Sequence, residues 1–223
     1  VRVYTSDNEG FKFIQIVECL GLRVHRTLYD SKSKAFYVMS SNSQSITKLI
    51  RDGDRLTISY HKTLPFLKGF YTRSISIIGE HMYFISGPGC ITKARFHDDS
   101  FNVIASYKVP LGMESMNDLF FSGNYYYLTS TPENYKNKPG QIVRVRMLED
   151  LNKDKPLYED IFNQMKTYGS NYYMSSFDGR FYVTQIFHRN RIVSFTEKED
   201  GTIADVRELF DFELPTYGWI RSW

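Results

Sequence analysis

This chain of 223 residues holds few of the side chains that build metal clusters or redox pairs. Its two cysteines, Cys19 and Cys90, stand 71 positions apart, so no CxxC unit exists for zinc or thiol chemistry. Isolated thiols in strands are expected to be buried and free, with a disulfide left open. The five histidines, at positions 25, 61, 81, 97 and 188, never adopt the paired spacing that zinc requires. No run approaches the ~18 apolar residues of a membrane span, and the first residues show no charged-then-apolar leader. The chain is expected to be soluble, with its compartment open because a leader removed beforehand leaves no trace. Lysine and arginine number 28 against 25 acidic residues, leaving +3 without a basic run, so nucleic acid is not an expected partner. Gly-x-Ser-x-Gly, Walker and His-Glu-x-x-His patterns are absent, which sets aside serine-triad, nucleotide and zincin chemistry.

Aromatic residues are abundant at 16%, with 17 Tyr and 17 Phe beside only 2 Trp, a balance that suits strands packed face to face. They recur in a phrase of a turn, a short aromatic or β-branched run, a polar loop, and a strand opening on isoleucine. Its four copies centre on Tyr37, Tyr83, Tyr126 and Tyr182, spaced by 46, 43 and 56 residues. The paired isoleucines, Ile46, Ile91, Ile142 and Ile192, follow at intervals of 45, 51 and 50. A period near this length filled with short strands marks a β-propeller, whose small sheets cannot bury both faces alone. Tight acidic turns at Asp52-Gly53, Asp98-Asp99 and Asp200-Gly201 repeat with it. The expected fold class is therefore all-β, one propeller domain over residues 1–223.

Each repeat divides into strands A to D. In the second these are residues 73–78, 81–86, 91–96 and 101–107. The third carries a long B-to-C loop over 131–140 and room for a helical turn after Leu148. Residues 1–5 and 11–17 match strands C and D of a blade that lacks A and B, and residues 217–223 match a strand A. Pairing the two ends in one sheet removes an exposed edge and gives five blades, or six if residues are missing from the ends.

Strand A lines a propeller's channel, so the starts of A and ends of B converge on one mouth. The A starts place His25, Arg26, Arg73, Asn117, Asp118, Asn171, Trp219 and Arg221 there, with Ser40, Ser86, Ser130, Gln185 and His188 from the B side. Guanidinium groups bind carboxylate or phosphate at two points, while amides and aromatic faces suit sugars. Solvation of a water-filled channel competes with that reading. Asp118 and His188 are the candidates for acid–base work, against a loop-bracing role for Asp118 and a surface role for His188. Trp219 is placed to stack on a sugar ring or to pack the closing blade.

Ser115-Met116-Asn117-Asp118-Leu119, Gly123-Asn124-Tyr125-Tyr126-Tyr127 and Asp178-Gly179-Arg180-Phe181-Tyr182 resemble blades of the gluconolactonase, or senescence-marker-protein, family. The resemblance implies a six-bladed propeller that opens sugar lactones and holds one divalent metal through a glutamate, two asparagines and an aspartate. Asn117 and Asn171 look like the two asparagines. Where the acidic ligands belong, this chain has His25-Arg26, Arg73 and Trp219-Ile220-Arg221. No cofactor is expected from these residues, with calcium as the alternative the resemblance implies. The leading expectation is a propeller that holds a small anionic or sugar-like ligand, the alternative a sugar-lactone hydrolase, and the third a scaffold contacting a protein partner.

Overall fold

A computed structural model describes the chain except for residues 8–9, 70, 98, 110–111, 114, 132–139, 166–169, 187–189 and 213–223. Strands β1 (Arg2–Asp7) and β2 (Gly10–Ile16) form an N-terminal hairpin. Among the described residues, four four-stranded antiparallel sheets follow in strict sequence order. Blade one is β3 (Val24–Asp30), β4 (Ala35–Ser40), β5 (Ser45–Asp52) and β6 (Arg55–Thr63). Blade two is β7 (Tyr71–Ile78), β8 (His81–Gly87), β9 (Cys90–His97) and β10 (Ser100–Lys108). Blade three is β11 (Met116–Ser122), β12 (Tyr125–Ser130), β13 (Ile142–Val145) and the two-residue β14 (Glu159–Asp160). Blade four is β15 (Ser170–Phe177), β16 (Arg180–Ile186), β17 (Asn190–Glu197) and β18 (Ile203–Phe212). The chain is an all-β propeller, and the strand assignments of the second repeat agree with those expected to within two residues.

The recurring aromatic phrase is the second strand of each blade, and its burial explains its composition. On β8, Met82 and Phe84 pack toward Tyr37 and Met39 of blade one. The alternate residues Tyr83 and Ile85 pack toward blade three with Met116, Leu119 and Leu128. A strand covered on both faces loses the apolar–polar alternation of a half-exposed one and becomes continuously apolar. Tyr127 and Phe181 repeat the arrangement between blades three and four. Val1, Val3 and Val17 of the hairpin pack on Val38 and Leu49 of blade one, and the Gln15 side chain exchanges two hydrogen bonds with the Leu56 backbone. The hairpin thus sits beside blade one as the outer strands of a neighbouring blade would. The expected closing strand, residues 217–223, lies outside the described residues.

The acidic turns behave as their composition requires: Gly53 and Gly201 take positive φ of 58° and 83°, a region where a side chain is strained. In the second repeat Asp99 takes φ 64° instead, and its carboxylate receives Lys48 at 3.0 Å. The segment after β13 forms a 3-10 turn over Leu148–Asn152, and α1 is one helical turn at Phe162–Met165. Cys19 and Cys90 are both free, but only half-buried where full burial was expected. Among the described residues no helix is long and apolar enough to cross a membrane.

Candidate ligand site at the channel mouth

Among the described residues the innermost strands are β3, β7, β11 and β15, and each carries a β-bulge near its first residues. The pairing slips between Val24 and Arg26, Thr72 and Ser74, Met116 and Asp118, and Asn171 and Met174. The extra residues are His25, Arg73, Asn117, and the pair Tyr172 and Tyr173. A bulge bends the strand and re-aims a side chain that regular alternation would send into a blade face. At the same level the second strands end in Ser40, Ser86, Ser130 and Gln185, all buried.

Bulged residues meet across blade boundaries. Arg73 Nη1 donates to Asn117 Oδ1 at 2.6 Å, and Asn117 Nδ2 donates to the Asn171 carbonyl and to Thr131 Oγ1, each at 2.7 Å. Asn171 Oδ1 accepts from Gln185 Nε2 at 2.7 Å, and Gln185 Oε1 in turn accepts from Arg191 Nε at 2.7 Å. His25 Nε2 lies 2.8 Å from the Tyr71 hydroxyl, while Tyr173 donates its hydroxyl proton to the His25 carbonyl at 3.0 Å. This last bond joins β15 of blade four to β3 of blade one.

Asp118 sits beneath this layer, 1% exposed. One oxygen accepts from Ser74 Oγ at 2.6 Å, and the other accepts from the Met174 N–H at 3.1 Å and faces Arg26 Nη2 at 3.6 Å. One carboxylate therefore engages the inner strands of blades two, four and one from its place in blade three. Burial pushes its pKa above the ordinary carboxylate value, against the opposing pull of Arg26, Ser74 and the Met174 and Leu119 amides.

Above it lie two further guanidinium groups. The guanidinium groups of Arg23 and Arg73 lie 5.1 and 5.5 Å from the centre of the Tyr71 ring, and neither meets a carboxylate among the described residues. Arg23 holds φ 58°, a left-handed conformation that costs energy for a residue with a side chain. Burial, with the charges of Arg23 and then Arg73, lowers His25 to about 4, so its ring is neutral at pH 7. Burial raises the Tyr172 phenol, while Arg73 and Arg23 pull the other way. Four buried groups here, Arg26 Nε, Asn171 Nδ2, Ser40 Oγ and Ser170 Oγ, have no hydrogen-bond partner among the described residues. Beyond Tyr173 a cavity of about 450 Å³ opens between β3 and blade four, lined by Arg26, Tyr173, Tyr182 and Thr184.

Of the expected site residues, His25, Arg26, Arg73, Asn117, Asp118 and Asn171 are brought together here. His188, Trp219 and Arg221 lie outside the described residues. Sequence reasoning missed Arg23, whose position before strand A gave no signal. Tyr71, Tyr172 and Tyr173 stood in the expected strand starts, but as aromatics in a chain rich in them they did not stand out.

A divalent cation does not fit this donor set. Asn117 Oδ1 is held by a guanidinium and Asn171 Oδ1 by an amide, so the oxygens a metal would need already accept from the protein. Among the described residues no three histidine, cysteine or acidic side chains cluster as metal ligands. The unmet N–H groups of the site, Arg26 Nε and Asn171 Nδ2, call for an acceptor.

No protein-family model and no curated protein matches the sequence. The structure is similar to a Lactobacillus plantarum protein at 13% identity and a TM-score of 0.61, covering 94% of this chain and 63% of that one. It is similar to a gluconolactonase of Xanthomonas campestris at 12% identity and TM-score 0.58, covering 84% and 62%. It is also similar to the calcium-binding protein regucalcin of Agrobacterium tumefaciens at 12% and 0.54, covering 84% and 59%. The chain thus spans less than two thirds of the length of each. Likeness at these identities establishes the fold: a β-propeller of the architecture found in gluconolactonase and regucalcin.

Proposed function

We propose that the chain binds a small anionic, sugar-like ligand at the channel mouth. The observation that carries this reading is that the guanidinium groups of Arg23 and Arg73 both lie close to the Tyr71 ring, without a carboxylate among the described residues to neutralise them. Two guanidinium groups around an aromatic face offer two-point contact to a carboxylate or phosphate and a stacking surface for a ring. The unmet donors Asn171 Nδ2, Ser170 Oγ and Arg26 Nε supply partners for hydroxyl or carboxylate oxygens. In this reading Asp118 is a positioning group, since its oxygens are engaged by three other strands.

Opening of a sugar lactone is the second reading, supported by the fold shared with the Xanthomonas gluconolactonase. The chemistry is continuous with the first, because lactone opening yields an anionic sugar acid. Arg73 would then neutralise the charge that develops on the ring oxygen or carboxylate.

Calorimetric titration with D-gluconate and D-glucuronate, with chelator and then with calcium, tests both. Binding that persists in chelator and is lost in Arg73→Ala supports the ligand site. Consumption of gluconolactone above the spontaneous rate, followed by pH-stat, supports the enzyme. Calcium-dependent binding would overturn the donor-set argument against a metal. Absence of any binding would remove the ligand reading and leave a scaffold for a protein partner.

A further inference from the structure

His25 occupies an unusual position in this mouth, and the inference drawn from it rests on the ligand reading above. Both ring nitrogens face phenol oxygens: Nε2 lies 2.8 Å from Tyr71 Oη and Nδ1 lies 3.5 Å from Tyr173 Oη. A phenol oxygen can accept a hydrogen bond, so the protonated ring, with two N–H donors, finds an acceptor on each side without rearrangement. Two things oppose that protonation. One is burial, and the other is the positive field of Arg23, which precedes β3, and Arg73 on β7.

Among the described residues, the remaining titratable or charged groups around the ring are Tyr71 on β7, Tyr172 and Tyr173 on β15, and Arg26 on β3, whose guanidinium lies 4.4 Å from the Tyr173 ring centre. None of them is a carboxylate. Arg26 already faces Asp118, so the charges left without a counter-ion among the described residues are Arg23 and Arg73. An anionic group seated between them cancels the field that keeps the imidazole neutral.

We propose that the mouth takes up its anion together with a proton: a carboxylate or sulfate between Arg23 and Arg73 is accompanied by protonation of His25, held by Tyr71 and Tyr173. The proton comes from solvent and adds to a lone pair of the ring, with no other bond changed. Affinity for the anion then strengthens as pH falls, by up to about tenfold per pH unit while binding takes up one proton. An anion that cannot reach both arginines gains nothing from acid.

Isothermal titration with D-glucuronate and with sulfate, neither of which titrates between about pH 5 and 8, is the test. Repeating each titration in two buffers of different ionisation enthalpy counts the protons taken up. The expected result is uptake approaching one proton near pH 6, affinity rising toward pH 5, and loss of both effects in His25→Asn. Binding with no proton uptake and flat affinity across the range overturns this inference and leaves the ligand site standing. Proton uptake that survives in His25→Asn overturns the assignment to His25. Failure of both anions to bind at any pH overturns the ligand reading itself. Should His25→Asn fold poorly, the histidine resonances of the native protein, followed with and without glucuronate, report the same protonation directly.

Discussion

Replacing Asp118 by alanine removes the acceptor on which the inner strands of three other blades converge. Ser74 Oγ, the Met174 N–H and the Arg26 guanidinium would each lose their partner in a place that is 1% exposed. A buried donor left unmet costs roughly 1–3 kcal/mol, and removing one member of a buried ion pair costs roughly 3–5 kcal/mol. These overlap, since Arg26 keeps partial access to solvent, so a total of about 4 kcal/mol is expected. At roughly 2–4 °C per kcal/mol for a domain of this size, the midpoint of thermal unfolding falls by about 8–16 °C. Asp118→Asn separates charge from hydrogen bonding. The amide oxygen still accepts from Ser74 or Met174, and the cost of burying a charge disappears, so its loss is expected at about 1–2 kcal/mol. The pH dependence has a definite sign. A carboxyl raised in the folded state stabilises most below its unfolded pKa, and that contribution is lost as pH rises through the folded value. Both variants abolish this component. Urea unfolding of the three proteins at several pH values checks the argument, and an Asp118→Ala variant within about 1 kcal/mol of the parent would refute it.

Gly21→Ala should destabilise by about 1–3 kcal/mol through overpacking, because a Cβ there would run into Ser40 and come within 2.8 Å of Ser45 Oγ; thermal melts read this directly. Arg144, 5% exposed, pairs with Glu159 and with Glu197 of the next blade, each at 2.8 Å, so Arg144→Ala should cost about 3 kcal/mol in chemical denaturation. His25, lowered to about 4, contributes stability that is complete above the ordinary histidine range and falls as pH drops toward 4. After allowance for its partial solvent access the loss is about 1–2 kcal/mol, checked by comparing pH-dependent unfolding of the parent and His25→Asn.

The repeat and the blades were legible because their signals are local. A strand buried on both faces must be apolar throughout, as in Met82-Tyr83-Phe84-Ile85, and a two-residue turn must carry a residue tolerant of positive φ, as at Gly53. The ends of the elements were less so, and the third blade's outer strand shrinks to Glu159–Asp160 where the pattern suggested no such shortening. The polar starts of the inner strands were also visible, since a strand in a core has no local reason to hold arginine or asparagine.

What the residues alone determined is therefore the unit of construction and the level in it at which polar side chains gather, because both follow from side-chain alternation and turn chemistry within a few positions. Which of those side chains meet was decided by the tertiary structure. Arg73 reaches Asn117 across 44 positions, and Tyr173 reaches His25 across 148, through bulges whose one-residue slips leave no mark in composition. The same assembly made Asp118, read from sequence as an acid–base candidate or a loop brace, the meeting point of four strands, and it left Arg23 and Arg73 without a described counter-ion. Charge balance is a property of neighbours in space, and neighbours in space are what the chain order does not state.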